Sequence, residues 1–155
     1  VRKQLSSYSL NQITHVFLQA GVGGFAAAIA LSLRKFLRKD AQIIVVEPSQ
    51  AKTLFLSLQN EKPSIAEGQV SIMGRLDCKE PSWSALYSLS KTTNYFMHLE
   101  DDYVEKKLNF INDFGITTSP SGGAGIIALI YATENQLFEI NKDSSPLVFL
   151  TEGKI

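Results

Sequence analysis

Apolar and polar positions alternate between two rhythms along this chain, and the rhythm sets the elements. Residues 14–20 read as a buried strand that breaks at Gly21, Val22, Gly23 and Gly24. The chain resumes as an alanine-rich helix with Phe25, Ile29, Leu33 and Phe36/Leu37 at helical spacing. Arg34, Lys35, Arg38 and Lys39 gather at its C-terminal end, where cations are favoured. Residues 41–47 form a continuous apolar run rich in β-branched side chains, the mark of a strand covered on both faces. Pro48 then opens a helix over 49–59, and 60–68 reads as a loop. A short strand is expected over 69–74 and an irregular segment over 76–80. Pro81 opens a helix over about 82–92, and 95–99 is a strand. Glu100, Asp101 and Asp102 begin a helix that runs to about Asn112 and is closed by Gly115. Ser119 and Pro120 form a cap and first residue for a helix over 121–133. A last core strand follows over 146–150. Strand and helix in this alternation predict an α/β fold, an open, mostly parallel sheet with helices on both faces. Residues 1–13 read as a linker or helix end and 14–155 as one α/β domain. No internal repeat and no low-complexity segment interrupts them.

Charge and cysteine content narrow the partners. Fifteen basic and fifteen acidic residues cancel and leave no basic patch, so nucleic acid and anionic membranes are poor partners. The longest apolar stretch, residues 21–33, falls short of the roughly 18 residues of a membrane span. Cys78, the only cysteine, fits a reducing compartment and thus a cytoplasmic protein. The chain begins Val-Arg-Lys and stops just behind an apparent core strand, so it reads as a piece of a longer polypeptide.

Three stretches are able to carry chemistry. In the first, Gly21, Val22, Gly23, Gly24, Phe25 and Ala26 satisfy G-x-G-x-x-G/A between a strand and a helix. Such a turn aims free backbone N–H groups and the positive end of the helix dipole at one point, which suits a phosphate. Glu47 ends the next strand, where a dinucleotide-binding domain places an acid on the ribose. The competing reading makes the glycines a packing device and Glu47 a strand end or helix cap. The second stretch is the loop from Thr118 through Ser119 and Ser121 to Gly125, which either contacts a ligand or only caps its helix. The third is Thr151, a hydroxyl at the C-terminal end of a strand, facing the crevice where open sheets bind ligands. His15 and His98 lie on strands as packed side chains, without companions at metal-ligand spacing. Cys78 lacks a basic setting and reads as inert. Glu100, Asp101 and Asp102 form a helix N-terminal charge cluster. No Gly-x-Ser-x-Gly elbow occurs.

The order of several runs adds a resemblance. Thr-His-Val-Phe-Leu-Gln-Ala-Gly-Val-Gly-Gly at 14–24 comes first, followed by Ile-Val-Val-Glu-Pro at 44–48 and the run at 71–82. Ser-Gly-Gly at 121–123, Asn-Lys-Asp at 141–143 and Thr-Glu-Gly at 151–153 complete the set. In that order the chain resembles the C-terminal part of diaminopropionate ammonia-lyase. That family belongs to the pyridoxal-phosphate enzymes related to tryptophan synthase β and threonine dehydratase. The first run is specific to it; Ser-Gly-Gly is not.

The resemblance implies the large cofactor-binding domain of a fold type II enzyme, incomplete here, with pyridoxal 5′-phosphate as cofactor. It implies that Gly21, Val22, Gly23 and Gly24 bind the cofactor phosphate and that Thr151 sits beside the pyridine nitrogen. Ser119 and Ser121 would lie near the ring or substrate. A neutral hydroxyl at the nitrogen leaves the ring largely unprotonated, which suits α,β-elimination of ammonia from 2,3-diaminopropionate or a related amino acid. The family also implies a homodimer and an N-terminal remainder carrying the Schiff-base lysine. Residues 1–13 offer only Lys3, without the surrounding motif, so this piece alone would be inactive. Two departures bear on the substrate. Pro120 stands where the family has Glu, and Gly-Arg-Leu-Asp-Cys-Lys at 74–79 replaces Ala-Gly-Leu-Ala-Cys-Gly. Two other readings stay open: a nicotinamide-dinucleotide module built on Gly21, Gly23, Ala26 and Glu47, and a non-catalytic truncated relative.

Overall fold

The fold is a computed structural model that describes residues 10–153; residues 1–9, with Lys3 and most of the expected linker, and 154–155 lie outside the described residues. Its strands are β1 (His15–Gln19), β2 (Gln42–Pro48), β3 (Tyr95–Leu99) and β4 (Pro146–Val148). The helices are α1 (Gly24–Leu33), α2 (Thr53–Gln59), α3 (Trp83–Thr92), α4 (Asp101–Asp113) and α5 (Pro120–Glu134). The four strands form one sheet in the order β3-β2-β1-β4, and every pair is parallel.

Burial follows from the side-chain alternation of the two central strands, since neighbours along a strand point to opposite faces. Val16, Leu18, Ile43 and Val45 pack with α1, α2 and α3 on one face. Phe17, Ile44, Val46 and Met97 pack with α4 and α5 on the other. β1 and β2 are thus buried on both sides, which is why they read as near-continuous apolar runs. The connectivity places a crevice. Successive crossovers carry the chain from β1 through β2 to β3, with α1, α2 and α3 on the first face. The chain then returns along the second face through α4 and α5 to set β4 on the opposite side of β1. The carboxyl ends of β1 and β4 therefore flank a topological switch point, the place where open α/β sheets leave room for a ligand.

Several boundaries differ from the sequence reading. Pro48 closes β2 with an extended backbone (ψ 141°) instead of opening a helix. A short 3₁₀ turn over Ser49–Ala51 follows, and α2 starts only at Thr53, because the Glu47 carboxylate caps it from outside. Residues 69–74 form no strand. Both edges of the sheet lie elsewhere, and the segment is tied instead by Asp101, which accepts from Ser71 Oγ at 2.6 Å and from Ile72 N at 3.0 Å. β4 is a three-residue, half-exposed edge strand and not a core strand, since only β1 covers one of its edges. α1 stops at Leu33, and Arg34 turns back to donate to Thr92 O at 2.8 and 2.9 Å and to Ala41 O at 2.6 Å. Gly115, at φ +79°, ends α4 as expected.

Candidate active-site crevice

The crevice begins where β1 runs out. Gly23 adopts φ +96°, a left-handed conformation that a side chain would strain, and so turns the chain sharply into α1. The first helical bond of α1 runs from Ala27 N to Gly23 O, so the amides of residues 24–26 have no helical acceptor. No side chain caps this end and its first turn holds no acid, so the positive end of the helix dipole is unneutralised. A Cβ on Gly24 would meet nothing within 4 Å and would project into open space.

That space is a cavity of about 330 Å³, at the lower end of ligand-pocket sizes (about 300–1,000 Å³). Gly21, Val22, Gly23 and Gly24 form one wall, and Thr151 with Glu152 forms another. The Ser121 hydroxyl reaches the same cavity and accepts from Arg75 N at 3.1 Å. The residues expected to share a site thus meet, with one exception. Ser119 caps α5 by accepting from Gly122 N at 2.9 Å and donates to Glu152 Oε2, and it is not part of the lining.

The lining also includes residues that were not among the expected site residues. Gln19 is the last residue of β1, and its amide nitrogen donates to Phe149 O at 3.0 Å and to Thr151 Oγ1 at 3.2 Å. Arg75, on the loop before α3, places Nε 2.5 Å from Glu152 Oε1, joining that loop to the segment after β4. Leu76 and the thiol-bearing Cys78 complete that side. A polar residue ending an otherwise apolar strand was the one signal that would have marked Gln19; the others depend on where the loop folds.

The uncapped amides of α1 suit a phosphate, and the facing wall offers the Thr151 hydroxyl beside Glu152, whose carboxylate is paired with Arg75. The dinucleotide reading loses its second contact, because Glu47 is fully buried away from the cavity. Its two carboxylate oxygens accept from Leu54 N at 2.8 Å and Phe55 N at 3.0 Å, the cap role that competed with ribose binding. The two histidines are packed side chains. His15 Nε2 lies 2.9 Å from Phe138 O, and half-buried His98 is held below its ordinary pKa, mainly by burial. Among the described residues no cluster of His, Cys, Asp or Glu could hold a metal ion, and no helix is long and apolar enough to cross a membrane.

The chain is similar to several known proteins. Diaminopropionate ammonia-lyase of Salmonella typhimurium is 27% identical over 97% of the chain and 42% of its own length. The Escherichia coli enzyme is 29% identical over 90% and 39%. The chain thus spans about two fifths of the length of the curated relatives it matches. The crystal structure of the Escherichia coli lyase in complex with D-serine superposes with a TM-score of 0.75 at 26% identity, covering 97% of this chain and 40% of that one. Maize serine racemase, at 15% identity and a TM-score of 0.84 over 99% of this chain and 47% of that one, shares the fold. Residues 2–152 match the family described as "Pyridoxal-phosphate dependent enzyme". With that match spanning the glycine turn, the loop at 71–82 and Thr151 alike, the chain belongs to the pyridoxal-phosphate-dependent enzyme family.

Proposed function

We propose that this chain is the cofactor-cradling part of a pyridoxal-phosphate-dependent ammonia-lyase that eliminates ammonia from 2,3-diaminopropionate or a related amino acid. The observation that carries the reading is the single cavity bordered by both the glycine turn and Thr151. The relatives at 27% and 29% identity supply the reaction and substrate class. When bound, the cofactor's pyridine ring draws electron density from the bonds at the amino acid's α-carbon.

The roles of this chain's residues follow from their chemistry. The amides of Gly21, Val22, Gly23 and Gly24, with the N-terminus of α1, hold the phosphate. The Thr151 hydroxyl donates to the ring nitrogen, which as an acceptor stays unprotonated. Ser121, on the floor beside it, is in position to contact ring or substrate; Ser119 contributes by fixing the N-terminus of α5 and Glu152. The lysine that carries the cofactor belongs to an N-terminal remainder and the whole works as a homodimer, as the family resemblance implies, in the cytoplasm, as the lone Cys78 suggests.

The test uses the full-length protein. It should take up pyridoxal 5′-phosphate with a visible absorption band and release pyruvate and ammonia from diaminopropionate. A protein with neither band nor turnover overturns the reading. Saturable enhancement of reduced-dinucleotide fluorescence would favour the nicotinamide alternative, against which the burial of Glu47 argues.

A further inference from the structure

Thr151 lies after a short edge strand, its side chain is exposed, and a threonine hydroxyl is free to rotate and to act as donor or acceptor. Something must decide which way it points. Gln19 is 2% exposed and extends from the end of β1 toward three acceptors. Its Nε2 lies 3.0 Å from Phe149 O, 3.3 Å from Gly122 O and 3.2 Å from Thr151 Oγ1. The two carbonyls settle the amide's orientation, because only the NH₂ end is able to face them. The Gln19 Oε1 end is then left against α5 without a partner, and a Cβ on Gly125 would sit 2.9 Å from it. Glycine at 125 gives the amide that room.

An amide nitrogen accepts no hydrogen bond. Thr151 is therefore unable to donate to Gln19 and meets it only as an acceptor. With that side of the oxygen facing a donor, the hydroxyl hydrogen is directed away from Gln19, and both residues line the cavity. We propose that Gln19 is a positioning residue: its buried amide, oriented by Phe149 O and Gly122 O and sharing its two hydrogens among these carbonyls and Thr151 Oγ1, makes the Thr151 hydroxyl a donor toward the ring nitrogen of the cofactor. The inference rests on the proposed function, since it presumes that Thr151 meets the ring.

A double-mutant cycle on the full-length protein, stripped of cofactor and titrated with pyridoxal 5′-phosphate, separates the two. Thr151→Val should weaken cofactor binding about tenfold, the worth of one hydrogen bond of about 1.4 kcal/mol. Gln19→Leu should weaken it several-fold in the wild-type background and less than twofold further when Thr151 is already Val. The visible absorption maximum of bound cofactor should shift in the same direction in both single variants. A Gln19→Leu loss that is equally large in both backgrounds, with no spectral shift, marks a purely structural role and overturns the inference while leaving the ring contact intact. Unchanged affinity in Thr151→Val overturns the ring contact itself, and this inference with it. Should Gln19→Leu not fold, a crystal structure of the cofactor-loaded wild type decides. Gln19 Nε2 bonded to Thr151 Oγ1, with that oxygen also in reach of the ring nitrogen, supports the role; a Gln19 amide turned to other partners overturns it.

Discussion

Glu47 holds a carboxyl fully inside the protein, where burial pushes it up to about 7 although two amide bonds and nearby Lys52 pull it down. In the unfolded chain the same group titrates near 4.5. Between those values the folded state binds a proton that the unfolded state does not. The resulting stabilisation is fully present below about 4.5 and is lost as pH rises through about 7, a change on the order of 3 kcal/mol. His98, whose Nε2 lies 3.9 Å from Glu47 Oε2, has the opposite sign. Burial lowers its pKa, so it costs stability as pH falls below its ordinary value of 6.5. Thermal melting of wild type and Glu47→Gln across pH 5 to 8 reads the carboxyl together with its influence on neighbouring His98. The wild-type melting temperature should fall with pH relative to the variant; parallel curves would show that Glu47 stays ionised throughout.

Among the elements, the loop between α2 and α3 is the one whose position the cavity needs most and whose own sequence explains least. Arg75, Leu76 and Cys78 of this loop form a wall of the cavity. Its anchors are polar, and two of them, Asp101 and Gln50, lie outside the loop. Asp101, in the first turn of α4, takes both Ser71 Oγ and Ile72 N, and Lys79 Nζ donates to Gln50 O at 3.0 Å, Gln69 O at 2.8 Å and Asp77 Oδ1 at 2.6 Å. Val70 remains 84% exposed, so apolar burial contributes little to holding that end. Asp101→Ala should accordingly speed amide hydrogen exchange of residues 70–76 by tenfold or more, leaving β1 and β2 as protected as before. Exchange unchanged in the loop would mean that Met73 and Leu76, both buried, suffice to hold it. The expected charge cluster at 100–102 is thus also a tether, a role that no helix-start signal encodes.

For the molecule as a whole, what matters is that no lysine lines the cavity among the described residues. On the function proposed above, borohydride reduction of the cofactor-loaded full-length protein should attach the pyridoxyl group to a lysine of the N-terminal remainder. Peptide mass spectrometry reads the position directly. The group on Lys79, on Lys52 or on any other lysine of this chain would require a different division of labour between the two parts.

Much of this architecture was legible before the fold was known. The two central strands, the amphipathic helices, the glycine turn and the cap at Ser119 are all signalled within a few residues, by periodicity, by a side chain that reaches a nearby amide, or by a backbone that only glycine adopts freely. The resemblance carried by Thr151 and the glycine turn likewise needed no coordinates. Tertiary structure alone decided that those two places share a cavity, that Glu47 turns inward to cap α2, that 69–74 is a tethered loop, and that Gln19 meets Thr151. The reason is range. A cap or a turn is a contract between neighbours in the chain, whereas the Gln19–Thr151 bond joins residues 132 apart and exists only because β4 settles beside β1.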